Sequence, residues 1–315
     1  MFKNDLNIED VRALFFDDTA LREPTYRLYR ATGKERWYYE PDGDAFYPSV
    51  TTVIGATTPM SYGLQQYLMD HRDPEGYRDE RAAYGTWLHK AAAAYLIEGE
   101  YDLDNIPASL EIDAIEAGLN PSALDWDDRA KKDILAWALF CREHSVRPLA
   151  IEVMLKSEDG YAGAVDLVCR MTIGSGANGN FLKRDDGGEE ITAIIDIKSG
   201  KIYPDHAIQL HMYKQMVEEN WPDMRIDRVF NWTSRDWRTT PSYQINDQTD
   251  SDEQHLIPHL VGQFKARNAS GPSSSLVVGG VLRGENIETC YKHQNLRDRF
   301  KEKNEANDLF SEVGA

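Results

Sequence analysis

The sequence predicts an α/β chain in which a central mixed β-sheet is flanked by helices, with an N-terminal hairpin and helical extension and a C-terminal extension. Three observations carry that expectation. The runs 162–171 (AGAVDLVCRM) and 191–197 (ITAIIDI) are short, apolar and partly β-branched, the pattern of buried strands. The segment between them, GSGANGNFLKRDDGGEE, is rich in the turn residues a hairpin needs. Stretches of helical periodicity at 79–98, at 127–144 and after Pro204 surround these strands.

With 315 residues, 41% hydrophobic and 10% aromatic, the chain suits one elaborated domain with a sizeable core. The organisation expected is an N-terminal extension over 1–78, a core over 79–246 carrying an acidic insertion at 98–128, and a C-terminal helical extension over 247–315. No apolar run reaches the ~20 residues of a membrane span, and the N-terminus lacks a signal-peptide core. Cys141, Cys169 and Cys290 are isolated, which suggests neither a disulfide framework nor a zinc site. The expected location is a reducing cytoplasm, without membrane partners.

A net charge of −18 argues against a protein that coats nucleic acid generally, since phosphate contacts need Lys and Arg. The charge is uneven, however. Residues 91–128 hold ten acidic residues and no Lys or Arg, whereas 21–37 hold five basic against two acidic, as do 292–303. Positive potential confined to a channel would be enough to hold an anionic polymer.

Along the chain, 1–20 reads as an irregular or helical lead-in, and 25–40 (TYRLYRATGKERWYYE) alternates about a Thr-Gly-Lys turn as a hairpin. Arg27, Arg30 and Arg36 among its aromatics suit either a grip on a nucleic-acid strand or the solvated face of an edge hairpin. In YPSVTTVIGATTPM (47–60), the hydroxyls of Ser49, Thr51 and Thr52 suit a helix cap or a phosphate contact. The 79–98 helix sets Gly85 and His89 four apart on one face. The segment 98–128 reads as a solvated acidic excursion. Helix 127–144 has Ile134, Trp137, Ala138 and Cys141 as its apolar face, and 149–156 is the strand that carries Glu152.

Pairing the strands 162–171 and 191–197 would bring Asp166 and Asp196 together. Alternation along the second puts Asp196 and Lys198 on one face while Ile197 points into the core. Two carboxylates and an ammonium on a concave edge form a site for a hard divalent cation and a water. Ser199-Gly200-Lys201 then makes a turn that lets a phosphate approach backbone N–H groups. Pro204 and Asp205 open a helix with His206, Gln209, Tyr213 and Met216 on one face. Residues 225–231 read as a further strand. Arg225, Arg228, Arg235 and Arg238 with Trp232 and Trp237 form either a basic–aromatic cluster suited to single strands or a strand rim with packed indoles. Residues 251–268 look helical, 269–275 a Ser/Gly loop, SLVVGGVL a strand, and 293–310 a charged helix.

Three motifs in order, Gly163-Ala-Val-Asp166, Asp196-Ile-Lys198 and Gln209-Leu-His-Met-Tyr213, resemble the PD-(D/E)XK nucleases in their RecB-like branch. The Ser-Val-Thr segment upstream looks like the mitochondrial genome maintenance exonuclease and its phage-encoded relatives. The resemblance covers about residues 47–233 and implies a restriction-endonuclease-like core and a Mg²⁺- or Mn²⁺-dependent deoxyribonuclease. It also implies that Asp166, Asp196, His89 and the Ile197 carbonyl hold the metal, with Glu152, Lys198, Gln209 and Tyr213 around the reaction. Cleavage would leave 5′-phosphate and 3′-hydroxyl ends. The cysteine cluster of the iron–sulfur members is absent from the sequence, so no such cluster is expected. Ser49, Thr51, Lys201, Arg235 and Trp237 join the three hairpin arginines as expected nucleic-acid contacts.

The expected function is an exonuclease acting on single-stranded DNA or DNA ends, phage or prokaryotic in origin. It would work beside phage or host replication, recombination or repair proteins. A double-strand-specific recombination exonuclease, a structure-specific endonuclease and a non-catalytic acidic DNA mimic are the competing readings.

Overall fold

The computed structural model describes residues 21–32, 35–59, 74–121, 126–174, 188–267, 276–277 and 291–292. The expected lead-in at 1–20, most of the hairpin connection after Ile173, the Ser/Gly loop and the charged helix at 293–310 lie outside these residues.

A five-stranded mixed sheet, in the order β4-β5-β6-β7-β8, forms the centre of the α/β fold. Its strands are β4 (Arg147–Lys156), β5 (Ala162–Ile173), β6 (Glu189–Lys198), β7 (Arg228–Ser234) and β8 (Tyr243–Asp247). Pairing is antiparallel except between β6 and β7, which run parallel. A parallel pair needs a crossover. Here it is α5 (Asp205–Asn220), numbered after α1 (Val50–Thr57), α2 (Pro74–Glu98), α3 (Ile106–Glu116) and α4 (Asp127–Glu143).

Alternation along β6 assigns its two faces. Ile191, Ala193, Ile195 and Ile197 pack in one core with Trp87 and Leu88 of α2 and Trp137 and Phe140 of α4. Ile194 packs in the other, with Ile208, Met212 and Met216 of α5 and Ile257 and Phe264 of α6 (Ile257–Arg267). Burying apolar surface on both faces is what drives the strands to read as apolar runs. The polar exceptions on β5 and β6, Asp166 and Asp196, therefore stand out chemically.

The N-terminal hairpin has one strand more than expected: β1 (Tyr29–Thr32), β2 (Arg36–Glu40) and β3 (Ala45–Pro48) pair antiparallel. Ser49 then bridges to Ala162 and caps α1, its Oγ accepting from Thr52 N–H at 2.9 Å. Trp37 and Phe46 of this small sheet, Val50 and Val53 of α1 and Phe264 of α6 share one apolar cluster with the central sheet. The described parts of the two extensions that hold these residues thus pack into the central core.

The structure refines several sequence expectations. The acidic stretch 98–128 keeps its described carboxylates exposed except Asp113, which is buried and paired with Lys90, and it is anchored by Ile106, Leu110 and Ala114 of α3, buried against α2. On α4, Ala138 is half-buried, and Phe140, two residues along, takes the core position. The strand expected at 225–231 begins three residues later, because Asp227 N–H donates to the Thr192 carbonyl before the ladder starts. Trp232 packs in the core, edge-on to Trp137 at 5.0 Å, and Arg228 is paired with Asp247, so of the two readings of this segment the one with packed indoles fits and the basic–aromatic cluster does not. Two short strands, β9 (Leu276–Val277) and β10 (Tyr291–Lys292), pair with each other. No helix among the described residues is long and apolar enough to cross a membrane.

Candidate metal centre and its cleft

The site lies where β6 ends, at the carboxyl end of the parallel pair, the edge at which open α/β sheets leave a crevice. In the β5–β6 register Leu167 faces Ile195, so the residues before and after, Asp166 and Asp196, come level on neighbouring strands. Asp166 Oδ2 accepts the Ile197 N–H at 2.8 Å.

A glycine of the expected motifs allows a close approach the site needs. A Cβ on Gly163 would meet Tyr213 Cε1 at 2.8 Å and Met216 Cε at 3.0 Å, so only glycine lets α5 seat Tyr213 against β5. A Cβ on Gly85 would lie 3.4 Å from Ser199 Oγ, an ordinary contact distance, so α2 lies beside the turn after Lys198. One helical turn on, His89 reaches the site.

His89 Nδ1 is 3.2 Å from Glu152 Oε1 and 3.4 Å from Asp166 Oδ1, and Nε2 is 2.9 Å from the Ile197 carbonyl. Burial disfavours the imidazolium, but Asp166 and then Glu152 outweigh it and raise the His89 pKa well above the usual imidazole value. Burial likewise disfavours the Asp166 carboxylate, and the His89 charge overcomes it to leave the Asp166 pKa below the usual range. Glu152 has φ of +47°, rare for a residue inside a strand and costing roughly 1–3 kcal/mol. Strain of that size persists where the surroundings enforce it, and here it accompanies a carboxylate turned to His89.

His89, Glu152 and Asp166 each offer a ligand atom, all within 4.8 Å of one another. Asp196, expected among the ligands, is outside this group because its oxygens are engaged elsewhere. Lys198 Nζ donates to it at 2.9 Å and Asn231 Nδ2 at 2.7 Å. Burial, against the pull of Lys198 and aided by the Asp166 charge, pushes the Asp196 carboxyl up to about 6. Lys198 Nζ also donates to Gln209 Oε1 at 3.1 Å, and Gln209 Nε2 donates to Tyr213 Oη at 2.7 Å. Burial raises the Tyr213 hydroxyl well above its usual value, so it stays protonated.

These residues line a cleft of about 750 Å³ together with Arg30, Arg36, Ser49 and Thr51. Burial first, and then the neighbouring Arg30 charge, lower the Arg36 pKa. Ser49 Oγ and Thr51 Oγ1 are 2.9 Å apart at the α1 N-terminus, so the capping hydroxyl also faces the cleft. Among the remaining expected contacts, Lys201 and Arg235 line a neighbouring cleft instead. Trp237 is half-buried with Nε1 donating to the Lys132 carbonyl at 3.3 Å, and Arg27 is exposed outside both clefts.

Sequence reasoning missed Asn231, Arg81 and the role of His206. Asn231 is fully buried, level with Asp196 on β7, and its Oδ1 accepts from Gln248 Nε2 at 3.2 Å. An amide inside the apolar run RVFNW was the available signal. His206 lines the site cleft, and its Nδ1 accepts the Tyr203 N–H at 3.2 Å, leaving Nε2–H as its donor. Burial, then Lys198, hold its pKa down to about 3, so the ring is neutral. Arg81 lines both clefts. Its basic charge gave no signal without the fold.

The chain matches no protein-family model and no curated protein.

Proposed function

We propose that the chain is a metal-dependent nuclease of the PD-(D/E)XK type, with a restriction-endonuclease-like core. More particularly, we read it as a deoxyribonuclease that removes nucleotides from single strands or DNA ends. The observation that carries this reading is the grouping of His89, Glu152 and Asp166 beside Lys198 in a cleft that also presents Arg30 and Arg36.

The donor set suits Mg²⁺ or Mn²⁺: two carboxylates supply hard oxygen ligands, and one imidazole favours Mn²⁺ as an alternative. The Ile197 carbonyl, 2.9 Å from His89 Nε2, is a further oxygen at the same place. A divalent cation held there supplies Lewis-acid polarisation of a phosphoryl oxygen and a water of lowered pKa.

The side chains around it have separable tasks. Asp196 and Gln209 fix the Lys198 ammonium from two sides, so its position is set before substrate arrives. From there Nζ orients the attacking water and stabilises negative charge gathering on the phosphoryl oxygens. Asn231 and Gln248 hold Asp196 from behind, and Tyr213 holds Gln209. Arg30 and Arg36 offset phosphate charge at the opposite wall, and the His206 Nε2–H is a neutral donor into the same space.

The test is digestion of end-labelled single- and double-stranded DNA with Mg²⁺, Mn²⁺ or EDTA, beside an Asp196→Ala variant. Metal-dependent digestion lost in the variant is expected; equal digestion by both proteins would assign the activity to a contaminant and sink the reading. Covalently closed circles then separate end-dependent from internal cutting.

A further inference from the structure

A second cleft, of about 820 Å³, adjoins the first across Ser199 and Arg81, which line both. We propose that it is a backbone-binding track for a single polynucleotide strand, continuing the path of a substrate bound at the metal centre. The proposal rests on the nuclease reading above and extends it from the reacting phosphate to the nucleotides beyond.

Charge is the first argument. The chain carries −18 overall, yet Arg81, Arg129, Lys132, Lys201 and Arg235 line this cleft. Three carboxylates share the lining: Asp133 lies 3.6 Å from Arg129 and accepts the Tyr84 hydroxyl at 2.7 Å, and Asp236 lies 3.5 Å from Lys132, which leaves the charges of Arg81, Lys201 and Arg235 against that of Asp128. Asp128 and Asp236 sit exposed at the surface. A local excess of positive charge on so acidic a molecule selects an anionic ligand.

Construction is the second argument. The turn between the clefts, Ser199-Gly200, is tied down from the second-cleft side: Arg129 donates to the Ser199 carbonyl and Thr233 Oγ1 donates to the Gly200 carbonyl at 3.2 Å. Arg129 in turn lies over the Tyr84 ring at 4.3 Å. The residue before this turn is Lys198. Whatever occupies the second cleft therefore presses on the segment that carries the reacting ammonium.

The kind of recognition follows from what is missing among the lining residues. Among the described residues they include guanidinium, ammonium, carboxylate, hydroxyl and amide groups but no aromatic ring. Bases find no stacking platform there, so phosphates and sugars are gripped without reading sequence. Such binding is salt-dependent, each phosphate contact adding about 0.7 to the slope of log affinity against log salt on a single strand.

The experiment uses full-length protein and the exposed pair Lys201 and Arg235, as the double variant Lys201→Glu/Arg235→Glu. Fluorescence anisotropy with labelled oligothymidylates of increasing length, in EDTA, measures binding without turnover. Wild-type affinity is expected to rise with length. The double variant should lose at least tenfold on the longest strand and about 1.4 in salt slope, corresponding to two contacts at ~0.7 each. The charge-keeping variant Lys201→Arg/Arg235→Lys should restore both. Equal affinity and slope in wild type and the charge-reversed variant, with circular dichroism confirming a folded protein, overturn the track. Cleavage of a single-phosphodiester nitrophenyl ester with Mn²⁺ is run in parallel. Failure of wild type there counts against the nuclease reading, while the anisotropy still decides the cleft.

Discussion

Helix α2 serves two buried carboxylate networks five residues apart, and they are built on different principles. Tyr84 and His89 differ by about 140° around the helix axis, so one faces α4 and the other faces the sheet edge. At the first, Asp133 accepts from Tyr84 and is 3.6 Å from Arg129, under a lid in which Tyr84 meets Trp126 edge-on at 5.4 Å. At the second, Asp166 and Glu152 converge on one imidazole, Glu152 has strained backbone, and the group opens on a cleft. The first network satisfies its charge within the fold. The second gathers two carboxylates around one imidazole, with Lys198 close by, an arrangement suited to receiving a cation.

The sharpest way to break that contrast is Asp166→Asn, which removes a charge but keeps an acceptor for the Ile197 N–H. Metal-dependent cleavage should fall by about 10³-fold, at the upper end for loss of one preorganised electrostatic group. Near-wild-type turnover on labelled DNA would remove Asp166 from the site. Next in size is Lys198→Ala, expected to lower turnover by about 10²-fold while leaving Mn²⁺ affinity, measured by calorimetry, within a factor of a few. Loss of metal affinity of the same order as the loss of turnover would make Lys198 a structural prop for the ligands instead of a reacting group.

How much of this was legible depends on whether the signal was local. Strand alternation and helical spacing put Asp196 with Lys198 and Gln209 with Tyr213 on one face each, whereas the pairing of Gly163 with Asp166 and the individual roles of all six came from the resemblance alone. The hairpin pattern implied that these strands pair, but the long connection between them left the register open, and the structure sets it with Leu167 opposite Ile195. The position of Asp196 was not legible locally: it depends on Asn231, which reaches it across a parallel pair 35 residues apart in the chain. Glu152 was readable as a strand residue near the site, but its positive φ and its pairing with His89 are tertiary. The segment after Arg225 could not be decided between a basic–aromatic cluster and packed indoles, because β7 runs three residues further than expected and carries Trp232 into the core.

Two substitutions probe the packing on either side of the comparison. Gly163→Ala puts a methyl into the Tyr213 ring and Met216, an overpacking worth roughly 1–3 kcal/mol. Because Tyr213 holds Gln209, which holds Lys198, turnover should fall together with the denaturant midpoint. A variant destabilised to this extent yet turning over at the wild-type rate would break the proposed chain of positioning. Tyr84→Phe should cost about 1–3 kcal/mol by leaving the buried Asp133 short of a donor, with metal affinity and turnover unchanged. A fall in turnover as large as that of Asp166→Asn would erase the distinction between the two networks.

The smallest effect tests whether acid sensitivity belongs to the fold or to the site. His144 is 1% exposed, donates Nδ1–H to the Thr172 carbonyl at 2.9 Å, and lies beyond the second cleft and the metal centre. Burial lowers its pKa, so the folded protein resists the proton that the unfolded chain accepts below about 6.5. The unfolded state then binds more protons, and stability drops as pH falls through that value, with a limit of about 1.4 kcal/mol per pH unit for one group. Above it the contribution is constant. In EDTA, the wild-type denaturant midpoint should decline more steeply between pH 7 and 5.5 than that of His144→Gln. Parallel curves would shift the acid sensitivity to the other histidines with lowered values, His206 in the site cleft and His211 on α5, and so return it to the neighbourhood of the site.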